Sequence, residues 1–210
     1  MRLLSFYILF LLPLGIISCN TANDEIVPQV NDEFSQMIDG FPLEPLSESE
    51  QSSLLFMREE EKLARDVYDY LYLKWSRPLF DNISSSEQSH MDAVLMLLNR
   101  YDLEDPAARK ESGVFFNYDI QQLYDDLTQT GQQSIIEALK VGAAIEEIDI
   151  LDLKNALEAF VDNQDIEAVY NNLMQGSENH LRSFVKNLAN QGVTYQPQYL
   201  TQEEYDAIIN

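Results

Sequence analysis

Ser84-Ser85-Ser86-Glu87-Gln88-Ser89-His90-Met91-Asp92-Ala93-Val94-Leu95-Met96-Leu97-Leu98 reads as the opening turns of a helix with one buried face. Its inward stripe, at steps of four, three, four, three and four, is Ile83, Glu87, His90, Val94, Leu97 and Tyr101. That spacing keeps all these side chains on one side of an α-helix. A carboxylate and an imidazole in a core-facing row are costly to desolvate unless a partner compensates them. A bound metal is the commonest reason for Glu-x-x-His on a bundle helix. Glu87 also stands three residues after Ser84, a spacing that would complete a capping box in an exposed first turn.

Working outward, Ser47-Glu48-Ser49-Glu50 has capping-box spacing and opens a long helix to about Trp75. The stripe of that helix is Leu54, Met57, Glu61, Ala64, Tyr68, Leu71 and Trp75, with Glu61 its only charge. Glu59 and Glu60 fall off the stripe and read as solvated. Residues 76–82 read as a loop containing Pro78, and the quoted helix runs over 84–100. Residues 102–116 show little periodicity and predict an excursion at one end of a bundle. A shorter helix over 119–128 is broken at Gly131.

A third major helix starts near Ser134, with a kink or break expected at Asp149 or Asp152. A fourth spans 164–189 with the stripe Ile166, Tyr170, Leu173, Ser177, His180 and Phe184. Thr201-Gln202-Glu203-Glu204 is a second capping box, opening a short terminal helix. No strand pattern and no nucleotide-binding glycine motif accompany these. The class is all-α, a four-helix bundle with additional short helices over 47–210.

With 45% hydrophobic residues the chain can build a packed core. Its net charge of −23 argues against nucleic acid as a partner, because phosphate binding needs a basic surface. Residues 1–18 read as a secretory leader: Arg2, a nearly continuous apolar run, then Ile16-Ile17-Ser18-Cys19. That ending resembles a bacterial lipobox, and Cys19 is the only cysteine, so it is the expected lipidation site and membrane anchor. Residues 19–46, broken by Pro28, Gly40, Pro42 and Pro45, read as a tether. The expected location is the bacterial cell envelope, with the outer membrane favoured by Asn20 after the cysteine. A homodimer is compatible with the sequence, which sets no oligomeric state and names no protein partner.

Both histidines of the chain, His90 and His180, lie on inward stripes of major helices. The carboxylates that accompany them are Glu61, Glu87 and one of the pair Glu146 and Glu147. Glu146 shares a stripe with Ile135, Leu139 and Gly142, and Glu147 with Ile136, Leu139 and Ala143; Glu146 is preferred. Mixed carboxylate and imidazole donors without cysteine suit iron or manganese and disfavour iron–sulfur clusters and structural zinc.

At these residues the sequence resembles the ferritin-like superfamily. Glu61 with Ala64 and Tyr68 resembles its first-helix pattern, and Glu87-Gln88-Ser89-His90 its second-helix Glu-x-x-His. More closely, the stretch from Arg58 to Tyr68, Tyr101-Asp102-Leu103-Glu104-Asp105-Pro106, Glu146-Glu147-Ile148-Asp149-Ile150 and the stretch from Gly176 to Phe184 resemble a bacterial and archaeal family. It is known as domain of unknown function 2202. The resemblance covers about 47–209 and implies a ferritin-like bundle with a mono- or dinuclear metal site. One departure stands out: a symmetric site would carry a second Glu-x-x-His, but Ser177 occupies the slot before His180, and Glu178 lies about 100° around the helix. The candidate ligands are Glu61, Glu87, His90, Glu146 and His180, to be completed by water, Asp149 or Glu147.

The function expected from this is a lipid-anchored metalloprotein with oxidase or peroxidase chemistry on dioxygen or peroxide. Tyr68 is expected beside the ligands or as an ordinary core tyrosine. The alternative is a metal-free binding or scaffold module in which the same residues form a buried polar network.

Overall fold

Ser47 begins the bundle as its spacing predicts: its hydroxyl accepts from the Glu50 N–H at 3.1 Å, and Glu50 accepts from the Ser47 N–H at 2.9 Å. The computed structural model describes residues 30–108 and 111–210; the stretch read as a leader and Cys19 lie outside them. In chain order the helices are α1 (Val30–Asp39), α2 (Glu48–Trp75), α3 (Pro78–Arg100), α4 (Tyr118–Gly131), α5 (Ile135–Ala159), α6 (Gln164–Asn190) and α7 (Gln202–Ile209). There is no strand among the described residues, and no helix among them is long and apolar enough to cross a membrane.

α2, α3, α5 and α6 form the four-helix bundle, with α2 packed on α3 and α5 packed on α6. Trp75 at the end of α2 donates to the Gly131 carbonyl at 2.9 Å, so α5 starts at the end of the bundle where α3 also starts. Tyr68 meets Gly142, and Glu50 meets Asn163, so α2 and α5 are antiparallel. The connection from α3 to α5, carrying α4, therefore traverses the length of the bundle. α3 and α5 run in the same direction.

Three local expectations are corrected. α3 begins at Pro78, which occupies the first helical turn where a missing N–H costs nothing. Ser84 and Glu87 are therefore mid-helix, and Glu87 is no capping-box residue. α5 is continuous through Asp149 and Asp152 because both side chains engage neighbouring helices instead of capping a new one. Within the stretch read as a tether, α1 forms a helix whose Ile38 is buried beside Leu54 and Leu97. Arg100 fixes its end by donating to the Phe41 carbonyl at 2.6 Å.

The apolar core is in two parts. One surrounds Tyr68, Phe80 and Phe184; the other surrounds Leu54, Leu97, Leu153 and Tyr170. On each bundle helix the passage from one to the other crosses polar residues: 58–62 on α2, Glu87 and His90 on α3, Glu146, Glu147 and Asp149 on α5, and Ser177 and His180 on α6. This polar layer is where the chemistry lies.

Candidate metal centre

Four helices deliver side chains to the layer, and helical i, i+3 spacing aims each pair into the same interhelical space. Glu87 is its middle. One carboxylate oxygen, Oε2, lies 2.7 Å from Nδ1 of His90; the other, Oε1, lies 2.8 Å from Nδ1 of His180. Nδ1 of His90 also lies 3.2 Å from Oε2 of Glu61, and Nδ1 of His180 lies 3.4 Å from Oε2 of Glu146. Both imidazoles thus present the same nitrogen inward, and their rings stack with centroids 5.5 Å apart. The outward nitrogen of His180 meets the Ser86 hydroxyl at 3.0 Å. That of His90 sits against Gly176, where a Cβ would come within 2.5 Å of it, so only glycine leaves the ring its place.

The result is two three-residue groups sharing Glu87: Glu61, Glu87 and His90, and Glu87, Glu146 and His180. Ligand atoms around a cation with bonds of about 2.1 Å lie about 3 Å from one another. The nitrogen–oxygen separations of 2.7–3.4 Å match that spacing. Oε1 of Glu61 and one oxygen of Asp149, Oδ1, are buried with no hydrogen-bond partner. Oε1 of Glu87 and Nδ1 of His180, though 2.8 Å apart, are out of line for a hydrogen bond with each other. Glu60, Glu61, Glu87, Glu146 and Asp149 line a cavity of about 10 Å³, the room of one small ion or water. Buried polar atoms are rarely left orphaned. Carboxylate oxygens around such a space, with imidazole nitrogens beside Glu87, fit a metal ion, and the group could hold one.

The charges respond as a desolvated carboxylate cluster should. Burial pushes Glu61 up to about 7 against the opposing pull of His90. Burial also works against ionised Glu87, but the two imidazoles hold it down to about 2. Burial opposes the imidazolium of His180, yet Glu146 and Glu87 raise it to about 10. Asp149 and Glu60 are both pushed well above the carboxylate range, by burial first and then by neighbouring carboxylates. Without a cation, protons occupy this layer.

Comparison with known proteins agrees with the motifs. A family model described as an uncharacterized protein domain, DUF2202, matches residues 50–210. The chain belongs to the DUF2202 family. It is 50% identical over 175 residues to the uncharacterized protein MJ0754 of Methanocaldococcus jannaschii, covering 83% of this chain and 94% of that one. The crystal structure of hypothetical protein MJ0754 from Methanococcus jannaschii is also similar, with a TM-score of 0.78 at 52% identity, over 80% of this chain and 95% of that chain.

In this DUF2202 chain the five residues proposed from spacing, Glu61, Glu87, His90, Glu146 and His180, come together. Glu147 faces elsewhere: its Oε2 accepts the backbone N–H groups of Gln198, Tyr199 and Leu200 at 2.8, 2.6 and 3.0 Å, fixing the approach to α7. Glu178 pairs with Arg182 at 3.0 Å, away from the layer. Tyr68 is both core and neighbour to the site, since its hydroxyl donates to Glu146. The vacant slot on α6 is filled from across the interface: the Ser177 hydroxyl donates to Asp149 of α5 and leaves the other oxygen of that carboxylate unpartnered at the cavity.

Glu59 and Glu60 are buried, not solvated. Glu59 accepts the N–H groups of Phe116 and Asn117, and Glu60 lines the cavity. Burial of the outer face of α2 under the excursion gave no periodic signal. The run of charges from Arg58 to Asp66 on one helix was its only trace.

Proposed function

We propose that this chain is a ferritin-like metalloprotein that binds two iron or manganese ions, with Glu87 shared between them. Glu61, Glu87 and His90 hold one ion; Glu87, Glu146 and His180 hold the other; Asp149 stands in for the carboxylate that α6 lacks. The single observation that carries the reading is Glu87, set between two inward-facing Nδ1 atoms from different helices and beside unpartnered carboxylate oxygens. Charge supports it: four carboxylates, Glu61, Glu87, Glu146 and Asp149, balance two divalent cations with both histidines neutral. The single long crossover between the middle helices is also the connectivity of ferritin-like bundles.

Iron or manganese held there would supply redox chemistry toward dioxygen or peroxide. The residues of the chain fix the ligands. Tyr68 orients Glu146, Ser177 orients Asp149, Ser86 holds the ring of His180 in place, and the apolar clusters above and below exclude water. Anchoring through Cys19 would tether this activity in the cell envelope.

Metal analysis of the purified full chain after aerobic loading tests the reading. Bound iron or manganese is expected, and His90→Ala should lose most of it while Glu178→Ala keeps it. A wild-type chain that retains none favours the second reading, a metal-free scaffold. The observation on that side is that Glu61, His90, Glu87, His180 and Glu146 already form one chain of close pairs.

A further inference from the structure

Glu60 is the carboxylate that the centre does not need. It follows Glu59 and precedes Glu61, so its side chain leaves α2 in a different direction from either. Yet it is buried, its Oε2 has no partner, and it lines the same cavity as Glu61 and Asp149. Its other neighbour is Asp152, one helical turn beyond Asp149 on α5, with the two side chains within hydrogen-bonding reach, carboxyl to carboxylate. Asp152 is half-buried and lines an open groove of about 630 Å³ between the start of α2 and the end of α5, beside Glu48 and Asn155. A continuous line of carboxylates therefore runs from solvent to the cavity. On the α3–α6 side Glu87 lines the cavity, with the stacked imidazoles of His90 and His180 set against its carboxylate.

We propose that divalent cations reach the centre from this groove, captured by Asp152 and handed inward by Glu60 to Glu61 and Asp149. The inference rests on the metal-binding reading and adds a path and a carrier to it. A hydrated dication gives up its water reluctantly and crosses a buried layer only where oxygen donors replace that water step by step. Two acidic side chains, each touching the next compartment, provide those steps.

The test is cobalt(II) uptake by the full chain after stripping with a chelator, followed in time by visible ligand-field absorption. Asp152→Asn lies in the half-exposed groove and is expected to fold. It should slow uptake about tenfold, the lower end of what a focusing acidic channel contributes, and weaken the dependence of the rate on salt. Glu60→Gln should slow uptake as well, and both variants should reach the wild-type number of ions. Glu178→Gln, on the far surface of α6, should load at the wild-type rate. Uptake by both lane variants at the wild-type rate overturns the path while leaving the centre intact. A lower final capacity in Glu60→Gln makes Glu60 a resident ligand and overturns its carrier role. Failure of the wild-type chain to take up cobalt overturns the centre, and the path with it.

Discussion

Glu146 and Glu147 are adjacent on α5 and equally buried, yet they belong to opposite kinds of region. Glu147 belongs to an outer set of carboxylates that capture the N–H groups of loops: Glu147 holds 198–200, Glu59 holds 116 and 117, Asp66 holds Gly113, and Glu50 holds Ser47, Asp162 and Asn163. Basic side chains complete that set, with Arg58 bidentate on Asp105 and Lys62 paired with Asp66. Glu146 belongs to the inner set, where carboxylates meet one another, two imidazoles and hydroxyls, and receive no backbone donor. A buried carboxylate that gathers backbone N–H groups is a staple, as Glu147 is even though its Oε1 has no hydrogen-bond partner. One set among other carboxylates and imidazoles, with no backbone donor, is placed as a cation ligand would be, and burial alone does not distinguish the two.

The largest effect should come from breaking a staple. Glu147→Ala leaves three backbone N–H groups near α7 without an acceptor and should lower unfolding stability by about 3 kcal/mol, by the cost of unsatisfied buried donors. Urea unfolding should give this loss equally with and without metal. A loss that disappears on metal loading would place Glu147 among the ligands.

A smaller change, but one of opposite sign in the two states, is expected from the inner set. Asp149→Asn removes a carboxyl that the folded, stripped chain must keep protonated above its ordinary range, and should raise the stability of that chain by about 1 kcal/mol, the order seen when unbalanced buried acidic groups are replaced. The same variant should gain less stability than wild type when manganese is added, because ligand-linked stabilisation scales with affinity. Urea midpoints with and without manganese measure both. Destabilisation of the stripped variant would show that Asp149 is structural, held by Ser177 for its own sake.

What could be read from residue order alone follows from periodicity. Glu61, Glu87, His90, Glu146 and His180 each interrupt an apolar stripe, and an interrupted stripe is visible in one helix at a time. Glu59 and Glu60 were hidden because their burial depends on elements far away in sequence: the excursion folded over Glu59, and α5 packed against Glu60 through Asp149 and Asp152. The early start of α3 was legible in principle, since proline suits the first turn of a helix, but Pro78 read equally well as a loop residue. The continuity of α5 was not legible. Asp149 and Asp152 favour helix starts in isolation, and only their partners Ser177 and Glu60 retain them mid-helix.

The gentlest probe of the contrast is pH, because the two sets shift in opposite senses. In the outer set, burial opposes the charge of Asp105, but the Arg58 guanidinium and the Ala107 N–H hold its carboxyl below the usual 3.8. Glu50 is likewise lowered from 4.5, its burial outweighed by donors from Ser47, Asn163 and Asp162. A depressed folded value means stability that is present above the unfolded value and lost as pH falls through the folded one. In the inner set, Glu61 is raised from 4.5 to about 7, so between those values the folded chain keeps a proton that the unfolded chain has released, and stability falls across the window. His180, raised from 6.5 to about 10, contributes stability that is whole below 6.5 and lost as pH climbs toward 10. Glu87, held near 2 by the imidazoles, sides with the outer set and loses its contribution only in acid. The stripped chain should therefore be most stable near about pH 5 and decline toward alkali, against the usual broad optimum between about pH 5 and 8. Metal binding displaces the protons on Glu61 and His180, so the added stability from manganese should grow with pH over that same range. Urea midpoints of the stripped and loaded chain across it measure the crossing, and a stripped chain whose stability is flat or rising from acid to alkali would remove the distinction between staples and cation-seeking carboxylates.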